Sequence, residues 1–195
     1  MSIFTTSYWQ SAIAELQKVN RLTLAALVIA LATVLGSFAI PVSQNLHIVF
    51  TFLLFAFGAM VYGPVVGAVA GAAADIVGYI AHPMGAFFPG YTLSAILSGL
   101  IYGLLLYRTR ITVLRLVLVK LTINYAINVG LGCLWSALLF GKAYYFFFAA
   151  SLLKNTLMLP IEVVLLYVTL QVLLPVLGSA HLLPKSARQT RIPLF

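Results

Sequence analysis

Long apolar stretches that carry almost no charge limit what this chain can fold into. They follow one another between Leu22 and Leu174 with short connections. Only 7% of the 195 residues are charged and 63% are hydrophobic, whereas about a quarter of the residues of soluble globular domains carry a charge. Such a chain cannot cover a surface in water with polar groups, so the bilayer must be its solvent. The sequence therefore predicts an all-α integral membrane protein.

Turn and proline signals divide the apolar region into six transmembrane helices. One span needs about 20 residues, so the length allows about six spans in a compact bundle. The fifth is long enough to be interrupted near Gly130 and Gly132, and in the sixth Pro160 predicts a kink and Pro175 the end. The predicted spans are residues 22–40, 46–61, 65–80, 91–107, 114–140 and 144–174.

A short amphipathic helix is predicted ahead of the first span. Residues 8–20 place Trp9, Ile13 and Leu16 at helical spacing and turn Glu15 elsewhere, a pattern typical of a helix that lies at the membrane interface. The expected regions are an interfacial segment at residues 1–20, a six-helix transmembrane domain at residues 21–178 and a basic cytoplasmic tail at residues 179–195.

Basic residues gather in three clusters, at Lys18–Arg21, Arg108–Arg115 and Lys185–Arg191. With six spans, all three clusters fall on one side of the membrane, and Lys142 falls on the other. Cytoplasmic loops carry the excess of Lys and Arg, so both termini are predicted to be cytoplasmic. The net charge of +8 is explained by this orientation, without a nucleic-acid partner. For the Arg108–Arg115 loop, membrane lipid is the favoured contact.

Rows of small residues predict close helix packing. Such rows let helix backbones approach each other in lipid. Ala26 and Ala30 form a similar row in the first span, for which spacing alone favours internal packing over a surface for a partner subunit. The rows in the third and fourth spans are Ala59, Gly63, Gly67 and Gly71, followed by Asp75, and Ala95, Gly99 and Gly103.

Charged residues inside the spans are functional candidates, because a charge in the membrane is costly. Lys120 and Glu162 have simpler interpretations. The stem of Lys120 is long enough to snorkel to the inner headgroups, and Glu162 is in a position to pair with a basic residue on the cytoplasmic side. Asp75 and Lys154 remain candidates for a site, with a structural ion pair between them as the alternative.

Amides and aromatic rings extend this candidate site. Asparagine side chains in lipid are common interhelical hydrogen bonds, but several of them with a lysine and an aromatic loop better describe a ligand site. Rings stack on a flat ligand, amides pair with its edge and a lysine meets a carboxylate. The predicted substrate-binding residues are Asp75, Phe87, Phe88, Tyr91, Asn124, Asn128, Lys154 and Asn155.

The sequence gives little support to an enzyme. It contains no phosphate-binding GxxxxGK[ST] loop, no HExxH pair and no GxSxG context. We therefore expect no catalytic residues and no metal site. The stronger rival is a small proton-coupled carrier with Asp75 as the protonation site, although the two halves of the chain do not resemble each other as an inverted repeat requires.

Four stretches resemble a known family of membrane proteins. The amphipathic N-terminus, AALVIALA, FGAMVYGPVVGAVAGAAAD and FFPGYTLSAILSGLIYG resemble the substrate-binding (S) components of energy-coupling factor (ECF) vitamin transporters. The last of these stretches and LLKNTLMLPIE are most similar to the folate-specific members. The resemblance extends from about Lys18 to Leu174.

The resemblance implies a function and partners. S components of prokaryotic cell membranes bind a vitamin outside with high affinity and dock on an energising module. This module consists of a transmembrane coupling protein and two cytoplasmic ATPases that use ATP, so no cofactor is expected on this chain. Ala26 and Ala30 match the docking surface, which reverses the preference for internal packing. Transport in the family is thought to involve toppling of the whole S component.

The resemblance also implies roles within the site. The pterin of folate would stack on the aromatic loop, Lys154 would meet the glutamyl carboxylates, and the asparagines would pair with the pterin edge. An S component for riboflavin, pyridoxine or thiamine is the alternative within the family.

Overall fold

The computed structural model describes residues 6–38, 40–43, 46–83, 87–141, 143–180, 189 and 191–194. Seven α-helices lie in these ranges: α1 Thr6–Ala14, α2 Val19–Gly36, α3 Thr51–Ala81, α4 Pro89–Leu106, α5 Val113–Leu121, α6 Gly132–Phe140 and α7 Tyr144–Ser179. A 3₁₀ turn follows α1 at Glu15–Gln17, and a π-helix joins α5 to α6 at Thr122–Leu131. Two short antiparallel strands, β1 Ile40–Ser43 and β2 Leu46–Ile48, precede α3.

Five helical stretches of the described chain are long and apolar enough to cross a membrane. One of them, α3, is interrupted at Gly63, which has a non-helical φ of 84°. This left-handed conformation suits glycine, and Pro64 then starts the second half of the helix. If the two halves of α3 on either side of Gly63 are counted separately, the described chain has six apolar helical segments. This number agrees with the predicted all-α bundle of six membrane helices. The five stretches are α2, α3, α4, α5 to α6, and α7.

The first two spans are shorter than predicted, because the two strands occupy the chain between them. The first span ends at Gly36 rather than Ile40, and the second begins at Thr51 rather than Leu46. The backbones of Ile40 and Ile48 face each other in the strand pair. Pro41 does not support a continuing helix, and β-branched residues favour strands.

The last two predicted spans are continuous but differ in detail. The irregular part of the fifth span is the π-helix Thr122–Leu131, which ends directly before Gly132. Wide turns of this kind occur often at functional sites. The sixth span runs through both prolines to Ser179, so the prediction that Pro175 ends it was wrong.

The predicted rows of small residues bring α3 and α4 together. A β-carbon added at Gly67 would lie 2.7 Å from the carbonyl oxygen of Gly99, and one added at Gly71 would collide with the backbone of Ala95. These glycines therefore permit direct backbone contact, as expected for helices that associate in lipid.

Both ends of the chain return to the loop that connects α4 and α5. We call this end of the bundle the basic end. The ring of Tyr8 in α1 packs edge-on against Tyr107, with 6.1 Å between centroids. Near the other terminus, Ile192 is buried, and the Val113 amide donates to the carbonyl of Pro193 over 3.0 Å.

The face that α1 turns to the bundle is not the apolar face predicted for the membrane interface. Tyr8 and Ala12 are buried, as is Glu15 in the following turn, whereas Ile13, on the predicted interfacial face, is 53% exposed. Glu15 pairs with three cations of the basic end, which holds its carboxylate inward. Of the predicted basic residues, Lys142, Lys185 and Arg188 lie outside the described residues.

Candidate functional site

A two-part cavity lies towards the end of the bundle opposite the basic end. Its outer chamber, about 430 Å³, is bounded by the C-terminal ends of α2 and α3 and the start of α4. Its inner chamber, about 200 Å³, reaches between α3, α4, α5 and α7. The chambers adjoin each other, because Thr51, Phe55, Gly71 and Ala95 line both. Together they have the size of a small-molecule site, about 300–1,000 Å³.

Four of the predicted residues line the outer chamber: Asp75, Phe87, Phe88 and Tyr91. Asp75 accepts a hydrogen bond from Thr92 Oγ1 over 2.6 Å. The ring of Phe88 packs against Trp135, with 5.8 Å between centroids. This gives the outer chamber an aromatic wall with one carboxylate.

Two more predicted residues, Asn128 and Lys154, line the inner chamber. Asp75 and Lys154 thus line different chambers, and Asp75 is hydrogen-bonded to Thr92. This arrangement does not support the alternative of a structural ion pair between Asp75 and Lys154.

The remaining two predicted residues stand behind the wall of the inner chamber. Asn124 and Asn155 are buried, and Asn155 donates to the Ser151 carbonyl over 2.8 Å. Asn128 Nδ2 lies 3.4 Å from Asn124 Oδ1 and 3.5 Å from Asn155 Oδ1. The buried pair therefore orients the amide of Asn128, which faces the cavity.

Lys120 was predicted to snorkel to the headgroups, and this was wrong. Its side chain is 2% exposed, and Nζ lies 3.1 Å from Glu162 Oε2. Nζ also lies 4.2 Å from the centroid of the Phe52 ring. Burial of an ammonium is tolerated here because a carboxylate and an aromatic face replace its water.

The inner chamber also has ionisable lining residues that the predicted site did not include, namely Lys120, Glu162 and Tyr102. The opposite charges of Lys120 and Glu162 were a usable signal, since charges in spans usually pair with each other. The Tyr102 hydroxyl is buried and has no hydrogen-bond partner in the described part of the chain. Nothing in the sequence distinguishes this tyrosine from the others.

The chain is similar to transport proteins along most of its length. It matches the family described as ECF-type riboflavin transporter, S component, over residues 16–180. The folate transporter FolT of Clostridium novyi (strain NT) is 33% identical over 152 residues, which cover 78% of this chain and 88% of that protein. FolT of Leuconostoc mesenteroides subsp. mesenteroides is 30% identical over 154 residues, with 76% and 83% covered.

A solved structure shares the fold. The crystal structure of FolT bound with folic acid matches with a TM-score of 0.72 and 32% identity, covering 77% of this chain and 92% of that one. These similarities confirm the predictions of a multi-pass membrane protein, of a transport component and of a chain that is not an enzyme. The chain belongs to the family of S components of ECF-type transporters.

Proposed function

We propose that this chain is the folate-binding S component of an ECF-type transporter. It captures folate outside the cell and delivers it inward when docked on an ATP-driven energising module. One observation carries the proposal: a chain similar to folate transporters over most of its length has a cavity with an aromatic outer chamber and a polar inner chamber. Folate combines a flat ring system, an aromatic linker and an anionic tail.

The site uses the eight predicted residues in two groups. Phe87, Phe88 and Tyr91 supply ring faces, and Asp75 is held by Thr92 beside them. Asn128 and Lys154 supply polar contacts in the inner chamber. Asn124 and Asn155 act through Asn128, because they hydrogen-bond its amide.

Ala26 and Ala30 form the docking surface for the transmembrane coupling protein in this proposal. Both are exposed on α2, whereas Ala25, Val28 and Ala32 face the bundle. Small exposed side chains let a partner helix approach closely in lipid. The two cytoplasmic ATPase subunits hydrolyse ATP, and this chain binds no cofactor of its own.

The proposed orientation places the basic end in the cytoplasm. Lys18, Arg21 and Arg108 meet there around Glu15, and cytoplasmic ends of membrane proteins are rich in such residues. The outer chamber then faces outward in the cell membrane. Anionic lipid contacts the remaining basic residues of this end.

Tryptophan fluorescence of the purified protein in detergent tests the ligand. Trp135 contacts Phe88 at the outer chamber, whereas Trp9 lies beside Tyr8 at the basic end. We expect saturable quenching by folate that persists in Trp9→Phe and disappears in Trp135→Phe, with riboflavin and thiamine as ligand controls. A response to one of these vitamins but not to folate would change the proposed ligand. No response to any of them would favour the proton-coupled carrier.

Co-purification with the energising module tests the docking surface. The protein with Ala26→Trp and Ala30→Trp should bind folate normally but fail to assemble. Val172→Trp is the matched control, because Val172 is 66% exposed but lies on α7 and not on α2. Normal assembly of the double variant would remove the two alanines from the docking surface.

A further inference from the structure

We propose that Glu162 selects the pterin ring, by accepting hydrogen bonds from the 2-amino group and the N3–H group of its pyrimidine edge. The ring then lies in the inner chamber, and the glutamyl tail extends through the outer chamber. This inference rests on the proposed function, because it assumes that the ligand is folate.

The contacts of Glu162 gather on one of its two oxygens. The side chain lines the inner chamber. Lys120 Nζ lies 3.1 Å from Oε2, and Asn124 Nδ2 donates to the same oxygen over 2.6 Å. Within the described ranges, Oε1 receives no hydrogen bond. An ionised carboxylate has about four acceptor positions, so this one is half used, and its side chain lines the chamber where a ligand would sit.

A second polar group in the same chamber also lacks a partner. The Tyr102 side chain is 2% exposed and lines the inner chamber. Its hydroxyl has no hydrogen-bond partner among the residues that the structure describes. Buried hydroxyls are nearly always bonded in proteins, so a polar ligand atom in this chamber accounts for both Tyr102 and the open oxygen of Glu162.

A carboxylate is a better hydrogen-bonding partner for the edge of a pterin than for the edge of a flavin. The pterin presents two adjacent donors, the 2-amino group and N3–H, followed by the acceptor O4. The flavin edge presents one donor, N3–H, between two carbonyl acceptors. A carboxylate is an acceptor only, so it pairs with the two pterin donors but meets an unfavourable carbonyl on a flavin. Glu162 therefore favours folate over riboflavin.

Size and the acceptor-only character of Glu162 give the direction of the ligand. Glu162 pairs with hydrogen-bond donors, which the pterin edge has and the glutamyl carboxylates lack. At about 200 Å³, this chamber is smaller than the roughly 300–1,000 Å³ of a drug-sized site, so it holds only part of folate. Lys154 lines the same chamber. We therefore assign Lys154 to the acceptor O4 of the pterin, in place of the glutamyl carboxylates.

The test compares folate with 2-desamino-folate, in which hydrogen replaces the 2-amino group. Isothermal titration of the wild-type protein should show about 10- to 100-fold weaker binding of the analogue, the usual range for one charge-assisted hydrogen bond. In Glu162→Gln this preference should fall to a few-fold. Glu15→Gln is the matched control, because it alters a buried glutamate at the basic end and should keep the full preference.

The outcomes separate this inference from the proposed function. Absence of folate binding by the wild-type protein would overturn both. Folate binding with equal affinity for the analogue would overturn the role of Glu162 alone. The wild-type comparison decides this even if Glu162→Gln does not fold. An undiminished preference in a folded Glu162→Gln protein would likewise contradict the inference.

Discussion

Two buried glutamates of this chain have opposite surroundings. Glu15, at the basic end, is contacted by Lys18 Nζ at 2.9 Å and by Arg21 Nε and Arg108 Nη2, each at 3.2 Å. The hydroxyl of Tyr107 also donates to it, over 3.1 Å. Glu162, at the inner chamber, has one cation and one amide, and both reach the same oxygen.

The difference separates a structural carboxylate from one that can recognise a ligand. Burial alone would raise the pKa of Glu15, but hydrogen bonds from Lys18 and Tyr107 and the charges of Lys18 and Arg21 outweigh it and lower this pKa. Burial and the nearby Glu15 raise the pKa of Tyr107, which stays a hydroxyl donor. Three cations and a hydroxyl thus surround Glu15, whereas Glu162 has one cation and one amide and lines the inner chamber, where a ligand can supply a further donor.

The largest expected effect is that of Lys120→Met. It leaves the carboxylate of Glu162 buried without its cation, and breaking a buried pair in this way lowers the free energy of unfolding by about 3–5 kcal/mol. Thermal unfolding in detergent measures the loss. The double variant Lys120→Met, Glu162→Gln removes both charges, so it should recover much of the stability without recovering folate affinity. If the double variant binds folate as the wild type does, the pair has no part in recognition.

Glu15→Gln should have a smaller effect, confined to stability. Its cations are partly exposed to water and can be hydrated again, so we expect a loss of about 1–3 kcal/mol. Thermal unfolding checks the loss, and titration with folate should give an unchanged dissociation constant. Reduced folate affinity at unchanged stability would contradict the assignment of Glu15 to structure.

The contribution of Glu15 should depend on pH. Its folded pKa lies below the unfolded value of about 4.3, so its stabilising effect is present above that pH and is lost as the pH falls through the folded pKa. Unfolding temperatures of wild type and Glu15→Gln should therefore differ at neutral pH and converge in acid. A difference that persists undiminished at low pH would show that charge is not the cause.

The smallest effect is expected for Tyr102→Phe. Removing a buried hydroxyl without a partner should leave the ligand-free protein equally stable or slightly more stable, while folate binds a few-fold more weakly. Tyr62→Phe is the matched control, because the Tyr62 hydroxyl is also buried without a partner in the described chain. Thermal unfolding and titration of both variants make the comparison. Equal folate affinity in the two variants would exclude Tyr102 from the site.

The sequence predicted the architecture well because its signals are local. Apolar length predicted the membrane helices, and glycine spacing predicted close helix packing, which the structure shows where Gly67 meets Gly99. The strand pair at Ile40–Ile48 and the extension of α7 beyond Pro175 were missed, because both depend on neighbouring structure more than on composition. The positions of the site's side chains also depend on how the helices pack, which local sequence signals do not show.

The candidate site was predicted only in part, because some of its residues are recognisable only from the packing of the helices. Charge in an apolar span identified Lys154, but the depth of Lys120 along its helix suggested the headgroups. Only the packing of α5 against α7 shows that Lys120 meets Glu162 instead. Tyr102 could not be found from sequence, because an unpartnered hydroxyl is a property of the folded chain.

The most direct measurement is a crystal or cryo-electron microscopy structure of this protein with folate bound. Our account predicts the pterin in the inner chamber, with its 2-amino nitrogen within hydrogen-bonding distance of Glu162 Oε1, about 2.7–3.2 Å. It places the glutamyl tail in the outer chamber, beside Phe88 and Tyr91. A glutamyl tail in the inner chamber, beside Lys154 and away from Glu162, would contradict the account.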